Sequence, residues 1–183
     1  MKLLIMGPPG AGKGTQAKIL SQKFNLVHLS TGDILRKEIY KASKTGLKAQ
    51  TYMNAGNLVP DEVLLEMMNS TLTELKNQGV ILDGFPRTIP QAVGLSKIFQ
   101  SLRQAIDGII NIEVDKDVLI KRLVERAKNS GRADDTEEVI INRQNVYSEL
   151  TAPLIEFYQS DIINIDGGGS IEKVTERILK RIH

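Results

Sequence analysis

The opening segment constrains this chain most. An apolar run, Leu3-Leu4-Ile5-Met6, gives way to Gly7-Pro8-Pro9-Gly10-Ala11-Gly12-Lys13-Gly14-Thr15, and helical character follows from Gln16 to Phe24. A strand, a glycine-rich turn with a Gly-Lys pair, and a helix are what a phosphate-binding loop requires. The glycines let the backbone wrap with its N–H groups facing inward, which makes a nest for an anion. The helix N-terminus adds partial positive charge, and Lys13 adds a full one. Such a unit belongs to an α/β fold and grips a nucleoside triphosphate. One position is irregular. Gly14 stands where the usual pattern has the magnesium-ligating Ser or Thr, and the hydroxyl comes one residue later, at Thr15.

The rest of the chain keeps the same rhythm. Lys2–Met6, Leu26–Leu29, Val80–Leu82, Gly108–Glu113 and Ile162–Ile165 are short and nearly continuously apolar, as strands buried on both faces of a parallel sheet should be. Helical spacing lies between them. Val63, Leu64, Met67, Met68, Leu72 and Leu75 form one face, and Val118, Leu119, Leu123 and Val124 another. Ile171, Val174, Ile178 and Ile182 form a third, with Ser170 as its N-cap. This alternation predicts an open, doubly wound, five-stranded parallel sheet with helices on both faces. Two stretches break the rhythm. Residues 30–59 run helical without a strand and read as an inserted flap. Lys128–Asp135 is a polar loop between two helices, and with its flanks (126–136) it reads as a short lid. Both leave from strand ends that face the glycine-rich loop, where they can close over a ligand.

At 183 residues the chain suits one core domain, 1–183, carrying these two appendages. A net charge of +2 is too small to imply nucleic acid as a partner. With no cysteine, disulfides and thiolate metal sites are excluded, and a cytoplasmic setting fits. The run Leu3–Met6 is too short for a signal-peptide core, and nothing approaches a membrane span.

Asp83 ends an apolar strand. Taken alone, Asp83-Gly84 is a good turn dipeptide; beside a phosphate-binding loop, a carboxylate there is placed to hold magnesium, directly or through water. Arg87, four residues on, has the fork of donors that suits a phosphate. Ser30-Thr31-Gly32-Asp33 reads as a helix N-cap with an acid in the first turn, and Arg36, one turn in, is aimed at an anion near the flap. Arg122 and Arg126 share a helix face and, with Arg132 and Arg143, flank the polar loop. Interleaved acids (Glu125, Asp134, Asp135, Glu137, Glu138) make this no simple basic patch. Arginines around a mobile loop suit a transferring phosphoryl group, whose charge spreads over its equatorial oxygens. No base segment is evident. An acceptor that is itself a phosphate needs none, because it is already ionised at neutral pH.

Taken in order, Gly7–Thr15, Ser30–Asp33 with Arg36, Ala55-Gly56-Asn57-Leu58-Val59, Asp83-Gly84-Phe85-Pro86-Arg87 with Gln91, Gly131–Asp135, Arg143 and Thr151-Ala152-Pro153-Leu154 resemble the adenylate kinase family over nearly the whole chain. In that family Gly-Lys-Gly-Thr is the normal loop, which removes the oddity at Gly14. The resemblance implies reversible phosphoryl transfer from Mg-ATP to AMP, giving ADP, by a monomer. It implies that Gly10, Ala11, Gly12, Lys13, Gly14 and Thr15 hold the ATP phosphates, while Arg122 and Gly169 meet the ATP base. Thr31, Arg36, Asn57, Leu58, Val59, Gly84, Phe85, Arg87 and Gln91 would form the AMP site, with Gln91 on adenine. Lys13, Arg87, Arg126, Arg132 and Arg143 would surround the transferred group, Arg126 reaching it from the ATP side and Arg132 and Arg143 from the AMP side. Mg2+ would sit at Asp83 through water, with Thr15 nearby. The short lid, without cysteine, holds no structural zinc. Short lids also occur in the related UMP/CMP kinases, which typically carry Ala at the Thr31 position and Asn at the Gln91 position; Thr31 and Gln91 therefore favour AMP. A P-loop module without catalysis is the remaining alternative, and six candidate arginines argue against it.

Overall fold

The computed structural model of the chain describes residues 1–130 and 136–182, with the backbone only at 129 and 130. Strands β1 (Lys2–Met6), β2 (Val27–Ser30), β3 (Val80–Asp83), β4 (Gly108–Glu113) and β5 (Ile162–Asp166) pair in parallel, in the order β2-β3-β1-β4-β5. The helices are α1 (Lys13–Phe24), α2 (Thr31–Tyr40), α3 (Lys44–Asn54), α4 (Asp61–Glu74), α5 (Ile89–Ser101), α6 (Lys116–Ser130), α7 (Glu137–Val146), α8 (Leu154–Phe157) and α9 (Ile171–Leu179), with a π-helical turn at Tyr147–Thr151.

Strand periodicity sends alternate side chains to opposite faces of the sheet, and here they feed two cores. Leu3, Ile5, Ile81, Ile110 and Ile112 pack with Ala17 and Leu20 of α1 and with Val174 and Ile178 of α9. Leu4, Leu82 and Ile109 pack with Leu64, Met68 and Leu72 of α4, Leu95 and Phe99 of α5, and Leu154 of α8. The chain therefore leaves β1 into a helix on one face and leaves the adjacent β3 into a helix on the other. This divergence opens a crevice beyond the ends of β1 and β3, the position at which doubly wound sheets bind ligands. The loops after those two strands are the glycine-rich loop and Asp83–Arg87.

Local boundaries differ from the sequence reading in identifiable ways. The second strand lies one residue later than Leu26–Leu29. Leu26 N–H is drawn back to the Ser21 carbonyl at the end of α1, and Ser30 is held in register with Asp83. Helix α6 takes in Lys128–Ser130, which the sequence assigned to the loop; no glycine or proline intervenes before Gly131. On that helix Leu119 and Leu123 are buried, whereas Val118 and Val124, one step of the helix away from each, are exposed. In the final helix Val174 and Ile178 are core residues and Ile171 is exposed, while Ser170 caps the helix as expected, accepting from Lys173 N–H. Past Ser30, which closes β2, the 30–59 insertion holds the paired helices α2 and α3 and no further strand. Each begins at a serine, Ser30 and Ser43, whose hydroxyl accepts a first-turn N–H.

Candidate active site

Helix α1 begins without a capping side chain. Its N-cap is Gly12, left-handed at φ 91°, so the first-turn N–H groups are not claimed by a side-chain oxygen. Lys13 is the first helical residue. Its ammonium donates to the Pro8 carbonyl at 2.9 Å and so lies across the loop from within. Burial lowers its pKa from 10.5 to about 7; the Asp83 carboxylate opposes the shift, and the guanidiniums of Arg87, Arg143 and Arg126 add to it.

Gly14 stands hard against Asp83. A Cβ there would lie 3.3 Å from Asp83 Oδ2, closer than side chains ordinarily approach. A Ser at this position would crowd the carboxylate that ends β3, which gives Gly14 a steric reason in this loop. Asp83 also meets His28 Nε2, 3.3 Å from Oδ2.

On the other side of the crevice, Thr31 is buried and donates its hydroxyl to the Gly84 carbonyl at 2.9 Å, tying the start of α2 to the loop after β3. Arg36 Nη2 lies 2.6 Å from Asp33 Oδ1, its neighbour one turn back. Arg87 is fixed along its length. Its N–H donates to Gln91 Oε1 at 2.7 Å, its Nε to the Gly84 carbonyl at 2.8 Å, and its carbonyl accepts from Thr151 Oγ1 at 2.9 Å. The Phe85–Pro86 peptide within this loop is cis.

One cleft of about 1370 Å³ joins these parts. Gly10–Thr15, Arg122 and Gly169 line one end, Thr31, Arg36 and Asn57–Val59 the other, with Asp83, Gly84, Arg87, Arg126 and Arg143 also in its wall. Arg122 Nη2 donates to the Gly167 carbonyl at 3.1 Å, which holds it beside the Gly167–Gly169 turn.

Two of the expected residues do not line this cleft. Phe85 is 1% exposed and belongs to the core on the α4–α5 face, because its ring is the apolar anchor that seats the Gly84–Arg87 loop. Gln91 is fully buried. Its Oε1 holds Arg87 N–H and its Nε2 donates to Asp61 Oδ1 at 2.7 Å. Arg132, with the rest of 131–135 in the 126–136 lid, lies outside the described residues.

Strand, loop and cleft thus agree with the motif order read along the chain, and the comparison with known families decides its membership. The adenylate kinase family model matches residues 5–163. The chain belongs to the adenylate kinase family. It is 47% identical over 184 residues to an adenylate kinase of Leptospira biflexa serovar Patoc, covering 99% of each chain. It is 46% identical to one from Synechococcus sp. (strain CC9902), over 98% of this chain and 97% of that one. Against one from Corynebacterium glutamicum (strain R) the identity is 45%, over 100% and 99%. The parallel sheet with its phosphate-binding loop is the fold expected of an adenylate kinase, and membership makes the chain a nucleoside monophosphate kinase.

In this adenylate kinase family member two side chains and one long-range bond went unread in the sequence. His28 faces Asp83 across neighbouring strands, a pairing that depends on register and leaves no local trace. Asp61 holds both Gln91 and Thr88, yet an acid in the first turn of α4 reads equally well as dipole chemistry. Thr151 was visible in its motif, but its bond to Arg87 spans 64 residues.

The Lys13 shift has a consequence for binding. The free enzyme carries Lys13 largely neutral above about pH 7, and a bound triphosphate restores its charge, so ATP binding near pH 8 takes up a proton while binding near pH 6 does not. Calorimetric titration in buffers of different ionisation enthalpy measures this; a heat independent of buffer near pH 8 contradicts it.

Proposed function

We propose that this enzyme transfers a phosphoryl group reversibly between Mg-ATP and AMP, giving ADP. The observation that carries the reading is the single cleft with a phosphate-binding loop at one end, Thr31, Arg36 and Asn57–Val59 at the other, and Arg87, Arg126 and Arg143 also in its wall. Gly10–Thr15 hold the triphosphate, with the α1 N-terminus and Lys13 on its distal phosphates. Arg122 and the Gly169 turn take the donor base. Arg36 and Arg87 hold the AMP phosphate, and the backbone of Asn57–Val59, with Thr31 and Gly84, lines the nucleoside pocket. Gln91 reaches the adenine edge by exchanging its Asp61 partner.

Catalysis here is placement and charge neutralisation. The acceptor phosphate is already ionised, so no side chain need remove a proton. Lys13, Arg87, Arg126 and Arg143, joined by Arg132 from the lid, offset the charge that spreads over the transferred group. Magnesium arrives with ATP as part of the substrate. Asp83 and the Thr15 hydroxyl suit an ion that keeps most of its ligands as water and phosphate oxygens, and the Gly14–Asp83 approach places that carboxylate against the loop. Closure of the 30–59 insertion and the 126–136 lid excludes water as a competing acceptor. We assign the enzyme to the cytoplasm as a monomer that acts on free nucleotides and not on nucleic acid; among the described residues no helix is long and apolar enough to cross a membrane.

A coupled assay of AMP, UMP, CMP and GMP as acceptors tests the substrate. AMP is expected to be preferred by at least about tenfold in kcat/KM, the discrimination that one or two base contacts supply. Equal or better turnover of a pyrimidine nucleotide rejects AMP as the acceptor.

A further inference from the structure

Arg143 sits on α7 between two amides, and each amide grips a different nucleotide loop. Asn142 Nδ2 donates to the Ala55 carbonyl at 2.7 Å and to Asn57 Oδ1 at 2.9 Å, on the AMP side. Gln144 Nε2 donates to the Pro9 carbonyl at 3.0 Å, in the phosphate-binding loop. A backbone carbonyl only accepts, so both amide groups must present their nitrogens as described. Successive helical residues diverge by about 100°, so positions 142 and 144 leave α7 on opposite sides with 143 between them.

The contact on the AMP side is close. A Cβ on Gly56 would lie 3.0 Å from the Val139 carbonyl and 3.1 Å from Arg143 Cγ, so the Ala55–Asn57 loop rests directly on α7 and on the stem of Arg143. Beyond α7 the π-helical turn ends at Thr151, which holds Arg87. The helix is therefore attached to the donor loop and the acceptor loop by separate hydrogen bonds, and the turn that continues it is bonded to the Arg87 loop. Both flanking groups are neutral donors. They fix position without adding charge beside Lys13 and Arg143.

We infer that Asn142 and Gln144 are positioning residues, which hold α7 astride the two nucleotide loops and so set Arg143 at the junction where the phosphoryl group passes. This rests on the proposed role of Arg143 in transfer. A misplacement of a catalytic group by about 1 Å costs up to about 100-fold in rate, which gives the two amides leverage well beyond the strength of single hydrogen bonds.

Gln144→Met and Asn142→Leu keep side-chain size and remove the donors. We expect each to lower kcat by about five- to tenfold, with the KM for ATP changing less than about twofold and the melting temperature little altered. Acting through Arg143, neither change lowers kcat further in an Arg143→Ala background, so the double-mutant cycle is strongly non-additive. Full kcat in both single variants overturns the inference while leaving the role of Arg143 intact. So does an equal loss with and without Arg143, which marks a merely structural contact. Unchanged kcat in Arg143→Ala itself removes the reading on which the inference rests.

Discussion

Lys13→Met is expected to lower kcat by about three orders of magnitude, near 4 kcal/mol of transition-state stabilisation, without loss of the fold. Methionine matches the length of the lysine stem but carries neither charge nor donor. The expected retention of structure follows from what Lys13 contacts. Its one hydrogen bond to the rest of the loop is to the Pro8 carbonyl. Burial holds its pKa near 7. Below that pH the folded protein carries the cost of a desolvated ammonium, and between about 7 and 10.5 the unfolded chain binds the extra proton, so stability rises with pH across that window. Removing the amine removes this cost, and the melting temperature of Lys13→Met at neutral pH should equal or exceed that of the parent. Steady-state turnover and thermal unfolding of the same preparation check both halves. Turnover within tenfold of the parent contradicts the role given to Lys13, and a collapsed melting temperature contradicts the claim that this lysine serves chemistry rather than folding.

Arg87→Ala is expected to lower kcat/KM for AMP by about 100- to 1000-fold while ATP affinity stays within about twofold. The asymmetry comes from geometry. The backbone of Arg87 is held by Gln91 and Thr151 whatever its side chain is, so the loop keeps its shape on truncation. What disappears is the guanidinium, whose Nε is aligned by the Gly84 carbonyl. Arg87→Lys keeps the charge and loses the planar fork, and it should recover only part of the loss. Initial-rate kinetics with each nucleotide varied in turn provide the test. A loss falling equally on ATP binding, or no loss, removes Arg87 from the acceptor side.

The parts of this molecule that were legible in sequence are those whose physics is local. The runs at Lys2–Met6 and Gly108–Glu113 match β1 and β4 residue for residue, because a strand buried on both faces is nearly continuously apolar. The Ser30 and Ser170 caps were readable because capping spans only a few residues. The faces of α6 were less clear: Val118 and Val124 are as apolar as Leu119 and Leu123, and only the position of the sheet decides which pair is covered. The least legible features join distant segments. Gln91 carries the right group for a base edge, yet its partners in this structure are Arg87 and Asp61. The grip of Asn142 and Gln144 on two loops needs α7 laid across the cleft, which nothing near residue 142 encodes.

In the proposed reaction one cleft seats two adenine nucleotides with their phosphates in line. Two adenosines joined by a pentaphosphate span both seats at once, so calorimetric titration with this compound addresses the claim directly. One molecule is expected to bind per chain, far more tightly than ATP or AMP alone, with full displacement only when both nucleotides are added. Binding no tighter than ATP, or displacement by ATP alone with AMP without effect, would contradict it.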